Sequence, residues 1–393
     1  MNIIVKNARV VTPYEILEDH AVLVRDGIIS DIRKDPPEEN IDAVVDARGY
    51  YLGPGFIDIH NHGNSGKDFM DASFDAYETM AKFHLAHGVT GFLATVMTGS
   101  FDEMEKALSA AGRYIKERQG GGKKARMLGI YLEGPYFSPK KKGAQPPEHI
   151  RKPDVKELKE LIEASCGTVR VVSLAPEVEG AEDAIRYLKE KRITIAMGHT
   201  DATYEEAKRG INLGITLATH TFNGMRGFEH RQPGAVGACL VDDRVYCEII
   251  CDGIHLSKAA VDLTIRAKGR EKVVLVSDAM MATGLSDGEY TLGGQRVFVK
   301  DGRAALADGT IAGSTLTLDR AVRYLVKTLG VPLKDALRMA SLNPAKAVGL
   351  SDRKGSIEQG KDADMVIFDD NLDIKTVIVG GEVFNFTKLN AEN

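Results

Sequence analysis

Short β-rich segments alternate with longer helix-like segments through the middle of the chain. The helix-like segments include FDAYETMAKFHLAHG, DEMEKALSAAGRYIKER and AEDAIRYLKEKR, and each lies between two β-rich runs. Hydrophobic periodicity is the main sequence signal for such elements. The pattern predicts eight strands: Phe56–His60, Gly91–Val96, Met127–Glu133, Val169–Leu174, Ile193–His199, Ile215–His220, Tyr246–Cys251 and Val273–Asp278.

The regular alternation of strands and helices implies crossover connections and a parallel sheet. Eight such strands are the number that closes a (β/α)₈ barrel, the TIM-like architecture. An open, doubly wound sheet is the alternative, and it predicts a glycine-rich phosphate loop after its first strand. The segment PGFIDIHNHGNSG is no such loop. We therefore predict an α/β fold with a TIM-like barrel.

Both ends of the chain differ from this alternating middle. Residues 1–54 contain short strand-like runs with turn signals, and the same style returns in GSIEQGKDADMVIFD and KTVIVGGEVF. We predict a small β-sandwich domain formed from both chain termini, residues 1–54 plus 350–393. The barrel is then expected to occupy residues 55–349.

Composition and charge exclude several classes of protein. A chain of 393 residues with 43% hydrophobic and 27% charged residues is typical of a globular protein. The net charge of −5 offers no electrostatic footprint for nucleic acid or an anionic membrane. No window reaches the ~20 apolar residues of a membrane helix, and the N-terminus lacks a signal-peptide pattern. We expect no nucleic-acid or membrane partner and a cytoplasmic location.

Six side chains capable of metal or acid–base chemistry follow the predicted strands at their C-terminal ends, where barrel enzymes hold their active sites. They are His60, His62, Glu133, His199, His220 and Asp278. His60 and His62 are two residues apart and so share one strand face. The adjacent strands offer Glu133 no lysine or arginine at their C-terminal ends, so a metal is its natural partner. Histidine and carboxylate ligands suit zinc, and also iron, manganese or cobalt.

Three of these residues have a plain structural alternative. His199 and His220, each taken alone, could be hydrogen-bonded structural histidines. Asp278 could cap the following segment, a frequent role for aspartate. We favour Asp278 as the general base and acid beside a metal-activated water.

A second group of residues suggests an anion site. Asn223 follows His220 closely, Arg231 lies in EHRQPG and His255 ends CDGIH. Arginine binds phosphate bidentately, and a neighbouring histidine adds a donor. Arg231 could instead pair with Glu229, so the sequence leaves both possibilities open.

Ordered motifs covering nearly the whole chain are similar to those of N-acetylglucosamine-6-phosphate deacetylases in the amidohydrolase superfamily. The motifs are PGFIDIHNHG, YLEGPYFSPKKKGAQ, MGHTDA, THTFNGMRGFEHRQPG, DGIH, VSDAMMATGLSDGEY, DGTIAGSTLTL, NPAKAVGL and GKDADMVIFD. The resemblance implies hydrolysis of N-acetyl-D-glucosamine 6-phosphate to D-glucosamine 6-phosphate and acetate, in amino-sugar catabolism or recycling.

The resemblance also implies roles for individual residues. Glu133, His199 and His220 would bind one divalent ion, and His60 and His62 a second, so that each subunit holds one or two ions of zinc, iron or manganese. Asp278 would be the proton shuttle. Contacts with the phosphorylated amino sugar are implied for Ala144, Gln145, Asn223, Gly224, Ile311, Ala312 and Gly313. Arg231 and His255 would hold the 6-phosphate, with some contacts crossing a homodimer interface.

Three alternatives remain at this stage. A related enzyme could act on N-acetylgalactosamine or N-acetylmannosamine phosphate. Another hydrolase of the superfamily could act on a cyclic amide or an N-acyl amino acid, and would not need cations for a phosphate. An inactive barrel could serve only for binding, although such proteins usually lose ligands that this chain keeps.

Overall fold

Five strands begin the chain and belong to a small β domain. The structure, a computed structural model, describes residues 1–36, 39–118 and 122–386. The first strands are β1 (Asn2–Val11), β2 (Ile16–Arg25), β3 (Ile28–Arg33), β4 (Ala43–Asp46) and β5 (Tyr51–Pro54). β1 pairs with β2 along one edge. Along its other edge it pairs first with β4 and then with β5, so it organises this half of the sheet.

The middle of the chain forms the predicted barrel. Its strands are β6 (Phe56–Asp58), β9 (Val89–Met97), β10 (Arg126–Glu133), β11 (Val169–Leu174), β12 (Thr194–Met197), β13 (Leu217–Ala218), β14 (Tyr246–Ile250) and β15 (Val273–Val276). All eight lie in one parallel sheet in chain order. A short hairpin, β7 (Gly63–Asn64) and β8 (Lys67–Asp68), follows β6. The TIM-like prediction is confirmed.

Helices lie between the barrel strands and after them. They are α1 (Phe74–Ala86), α2 (Phe101–Glu117), α3 (Val155–Ala164), α4 (Ala181–Glu190), α5 (Tyr204–Leu213), α6 (Gly234–Val241), α7 (Lys258–Lys268), α8 (Leu318–Arg323), α9 (Leu333–Ala340) and α10 (Leu342–Ala347). Capping boxes start two of them: Ser100 pairs with Glu103 at α2, and Thr203 with Glu206 at α5. Their apolar faces pack on the barrel in one continuous core.

A three-stranded antiparallel sheet that the sequence analysis did not predict follows the last barrel strand. It consists of β16 (Gly288–Leu292), β17 (Gln295–Lys300) and β18 (Arg303–Ala305). Leu292 and Val297 pack with Met97 and Met280 in a small core next to the barrel mouth. Gln295 donates a hydrogen bond of 2.5 Å to the Ala144 carbonyl, which ties this sheet to the loop after β10.

The last three strands complete the small β domain. β19 (Met365–Phe368) pairs with β5, and β20 (Ile374–Val379) and β21 (Glu382–Asn385) follow outward. Strands from both termini thus form one eight-stranded sheet with an apolar core of its own. The domain limits of 1–54 plus 350–393 and 55–349 stay a prediction, and residues 387–393 lie outside the described part.

Candidate metal centre and active site

Glu133, the last residue of β10, is the point on which four histidines converge. Its Oε1 atom lies 3.2 Å from Nε2 of His199 and 3.2 Å from Nε2 of His220. Nε2 of His60 lies 3.5 Å from the same oxygen, and Nε2 of His62 lies 3.3 Å from Oε2. All five side chains are buried. The structure thus brings the five predicted ligands together in two overlapping groups able to hold a metal ion.

The protonation of His199 and His220 supports a cation at this point. Nδ1 of His199 lies 3.0 Å from the Lys141 carbonyl, and Nδ1 of His220 lies 3.0 Å from the Asn223 carbonyl. Because a carbonyl only accepts, each Nδ1 donates, and Nε2 of the neutral ring carries a lone pair. The two Nε2 atoms are 3.1 Å apart. Two lone pairs at this distance need a positive group beside them.

The His60–His62 pair gives a second, independent indication. Nε2 of His60 and Nδ1 of His62 are buried without a hydrogen-bond partner among the described residues. Nε2 of His60 faces Glu133 and lies 3.6 Å from Oδ1 of Asp278. A buried nitrogen without a partner is costly. Imidazole and carboxylate donors are those that zinc, iron and manganese accept, so these residues fit one or two divalent cations.

Asp278 lies beside this centre, at the surface of the cavity. Its Oδ1 atom is 3.2 Å from Nε2 of His62, and its side chain is 11% exposed. Burial by itself raises the pKa of Asp278, but the hydrogen bond from His62 and the charge of His60 bring that pKa to about 2. Burial also raises the pKa of Glu133, and the charge of His60 with the hydrogen bonds from the other histidines brings it well below its usual range. Both groups are therefore carboxylates at neutral pH.

Three of these residues adopt a left-handed backbone. The φ angles are 44° at His199, 30° at His220 and 49° at Asp278. Strand geometry ends before each of them, so β12 and β15 finish two residues earlier than the predicted strands, and β13 is reduced to two residues. Asp278 is held by its N–H to the His60 carbonyl at 2.9 Å and by its own carbonyl, which accepts from Ser314 at 2.7 Å. Backbone strain of this kind is common at functional sites.

A cavity of about 260 Å³ opens over the centre. The predicted substrate contacts that line it are Ala144, Gln145, Asn223, Gly224, His255, Ile311 and Gly313. Gln145 donates to Oε2 of Glu133 at 2.8 Å, so it also orients the carboxylate. Ala312 is completely buried and does not line the cavity.

Arg231, like Ala312, is a predicted contact that does not line the cavity of its own chain. Its side chain is exposed, and its guanidinium lies 2.6 Å from Nε2 of His230. Glu229 accepts from the Arg231 backbone N–H at 3.3 Å. His255 does line the cavity, and Asp252 accepts from its Nδ1 at 2.6 Å, which orients the ring.

Sequence reasoning missed two kinds of residue at the site. Met97, Gly143, Leu292 and Thr310 also line the cavity. They come from strand ends and loops with no charged or chelating group to mark them. Glu248 lies in β14 and contacts the histidines of the centre. The only sequence feature that marks it is its position as an acidic residue inside the apolar run YCEIIC.

A TIM-like barrel that gathers four histidines and two carboxylates at the C-terminal ends of its strands defines a hydrolase of the metal-dependent amide-hydrolase class. The sequence profile described as the amidohydrolase family matches residues 51–384. The chain belongs to the amidohydrolase family.

Curated relatives match nearly the full length of the chain. The N-acetylgalactosamine-6-phosphate deacetylase of Escherichia coli O157:H7 is 39% identical, with 98% of this chain and 100% of the relative covered. The N-acetylglucosamine-6-phosphate deacetylase of Bacillus subtilis (strain 168) is 38% identical, with 98% of each chain covered. That of Vibrio furnissii is 41% identical, with 94% of this chain and 92% of the relative covered.

Solved structures agree with these relatives. The N-acetylglucosamine-6-phosphate deacetylase of Pasteurella multocida has a TM-score of 0.92 at 32% identity, covering 98% of this chain and 100% of that one. A mutant of the Mycobacterium smegmatis deacetylase, in complex with N-acetyl-D-glucosamine-6-phosphate, has a TM-score of 0.90 at 34% identity, covering 98% of both. Among the described residues, none of the helices has the length and apolar character needed to span a bilayer.

Proposed function

We propose that this chain hydrolyses N-acetyl-D-glucosamine 6-phosphate to D-glucosamine 6-phosphate and acetate in amino-sugar catabolism or recycling. The observation that carries the proposal is the convergence of four imidazoles on Glu133, with Asp278 beside them on one cavity. The full-length relatives named as deacetylases of N-acetylhexosamine 6-phosphates support the choice of substrate. The test is acetate release from this sugar phosphate by the purified protein.

The residues of the cavity divide the chemistry between them. A divalent cation held by Glu133, His199 and His220, with a second one held by His60 and His62, would acidify water and polarise a carbonyl oxygen. Asp278 is ionised and reaches the cavity, so its carboxylate accepts a proton from the attacking water. It then returns that proton to the amine as acetate leaves.

Metal removal is the first prediction. Treatment with a chelator is expected to abolish acetate release, because Glu133 and the four histidines keep their geometry but lose the Lewis acid. Adding back zinc, iron(II) or manganese, one at a time, should restore it and identify the metal. Full turnover in protein shown to be metal-free by elemental analysis would contradict the proposal.

The phosphate site is proposed to be shared between two copies of the chain. His255 lines the cavity, but Arg231 is exposed outside it, near Phe228, an apolar side chain that is 55% exposed. A homodimer in which Arg231 of one copy reaches the cavity of the other would supply the missing cation and cover this apolar side chain. The cytoplasmic location stays a prediction.

The Arg231→Ala variant tests the phosphate assignment. It is expected to raise KM for the 6-phosphate by about 10- to 100-fold, the effect of losing one charge-assisted hydrogen bond. Turnover of unphosphorylated N-acetylglucosamine should change little, since that substrate offers no anion. Arg209→Ala is the matched control, an arginine on α5 that does not line the cavity. Equal losses on both substrates would remove Arg231 from the phosphate site.

N-acetylgalactosamine 6-phosphate is the second candidate substrate. It is favoured by the 39% identity, over 98% of this chain, to the E. coli deacetylase named for that sugar. The two sugars differ at one hydroxyl, and a buried hydrogen-bonding group can discriminate strongly at such a position. Comparing kcat/KM for the glucosamine, galactosamine and mannosamine derivatives decides between them.

A further inference from the structure

A third carboxylate lies against the histidines of the centre. Glu248 is in β14, and its side chain is completely buried. Its Oε2 atom is 2.9 Å from Nδ1 of His60 and 3.1 Å from the backbone nitrogen of His220. Within the described part of the chain, no lysine or arginine forms an ion pair with it. Glu248 therefore contacts two of the proposed ligand residues and does not line the substrate cavity.

We propose that Glu248 is a positioning residue that holds His60 in the tautomer protonated at Nδ1, so that Nε2 is presented to the metal centre. This inference rests on the metal-dependent function proposed above. It assigns to Glu248 no contact with substrate and no part in proton transfer.

The hydrogen bond decides which nitrogen carries the proton. A carboxylate can only accept, so Nδ1 of His60 donates. When the ring gives up its second proton, as it must to bind a cation, Nε2 is the nitrogen that carries the lone pair. That Nε2 atom is the buried one without a partner, facing Glu133 and Asp278. Tyr131 stacks on the ring, with centroids 4.6 Å apart and planes 23° apart, and this packing restricts rotation of the ring.

Glu248 differs from the groups that orient His199 and His220. His199 and His220 donate to neutral backbone carbonyls, whereas His60 donates to a carboxylate. A carboxylate partner makes the imidazole a more basic ligand. It also adds a negative charge close to the cations without occupying a coordination position. The strength of His60 as a metal ligand should therefore depend on its hydrogen-bond partner more than that of His199 or His220 does.

The same oxygen also supports the backbone of a second ligand. The N–H of His220 that it accepts belongs to a residue with a φ of 30°. Glu248 thus links His220, in the loop after β13, to His60, in the loop after β6. Glu248 therefore fixes His60, a ligand of one proposed ion, relative to His220, a ligand of the other.

Zinc binding to two Glu248 variants tests the inference. Glu248→Met removes the acceptor at similar size, and we expect the weaker of two zinc dissociation constants to rise by about 10- to 100-fold, the range for losing such a partner. Glu248→Gln keeps an accepting oxygen and should recover most of that affinity. Asp335→Asn is the control, since Asp335 is a buried carboxylate that pairs with Arg270 at 2.5 Å, away from the cavity.

Nitrogen-15 NMR of the metal-free wild-type protein, recorded at a pH high enough for the His60 ring to be neutral, gives a readout that needs neither activity nor metal. We expect His60, assigned by the signal lost in His60→Gln, to be protonated at Nδ1, and this proton to shift toward Nε2 in Glu248→Met. An Nε2-protonated His60 in the wild type would overturn the inference, as would zinc affinities equal in all three proteins. If Glu248→Met does not fold, the tautomer of His60 in the wild-type protein decides.

The two proposals fail in different ways. Zinc-loaded wild-type protein with an Nδ1-protonated His60 but no acetate release would contradict the deacetylase function and leave the role of Glu248 standing. Acetate release by a protein whose His60 is protonated at Nε2 would contradict the role of Glu248 and leave the deacetylase function standing.

Discussion

The Glu133→Gln variant is expected to lose its metal ions and to lower kcat at least about 10³-fold, more than the loss of one stabilising hydrogen bond commonly costs. The carboxylate faces histidines through both oxygens and accepts from Gln145 through Oε2. An amide has one oxygen. If the oxygen of the new amide faces His199 and His220, its NH₂ group points at the NH₂ group of Gln145. If the amide is flipped, its NH₂ group points at the proposed cation site.

Metal content by elemental analysis and acetate release measure this effect together. Glu157→Gln provides a matched control, because Glu157 pairs with Arg151 at 2.9 Å and does not line the cavity. It should keep both metal and activity. A Glu133→Gln protein that retained its full complement of metal would show that Glu133 is not a ligand.

Asp278→Asn is expected to lower kcat by about 10²- to 10⁴-fold, the range for removing a general acid or base. Asparagine is nearly the same size and tolerates a positive φ, here 49°, better than most residues. The fold and the metal content should therefore be retained. KM should change little, because the lost function is proton transfer and not substrate binding.

Steady-state kinetics with metal analysis separates this prediction from a general loss of structure. Asp319→Asn is the control, a partly buried carboxylate at the start of α8 that contacts His87 at 3.1 Å. It should leave kcat almost unchanged. Near-normal turnover by Asp278→Asn would assign the proton shuttle to another group.

Much of the barrel could be predicted because most of its strands are short apolar runs that end at a polar or metal-binding residue. Sequence cannot tell where such a run stops being extended. At His199 and Asp278 the backbone turns left-handed, a conformation set by hydrogen bonds from distant segments such as Ser314. The predicted strands therefore ran too far at these ends.

The sheet formed by β16–β18 was missed although its turns are visible in the sequence. Gly293-Gly294 and Asp301-Gly302 join its strands, and both are dipeptides that favour tight hairpins. Exposed and buried residues alternate along β17, as in a strand with one solvent face.

Two features of the site depend on contacts that no local pattern reports. Glu248 and His60 are 188 positions apart, and only closure of the barrel brings them together. Arg231 lies outside the cavity of its own chain, and whether a second copy supplies it is a question of assembly.

The left-handed residues at the barrel mouth also bear on how this protein could be stabilised. An L-residue in that conformation is roughly 1–2 kcal/mol less favourable than in the right-handed region, whereas glycine adopts it freely. Glycine at His199, His220 or Asp278 would relieve this strain, but it would also leave a cavity and free more conformations in the unfolded chain, so little stability would be gained. Each such change would delete a group proposed for catalysis, so libraries designed for thermal stability should leave these three codons fixed.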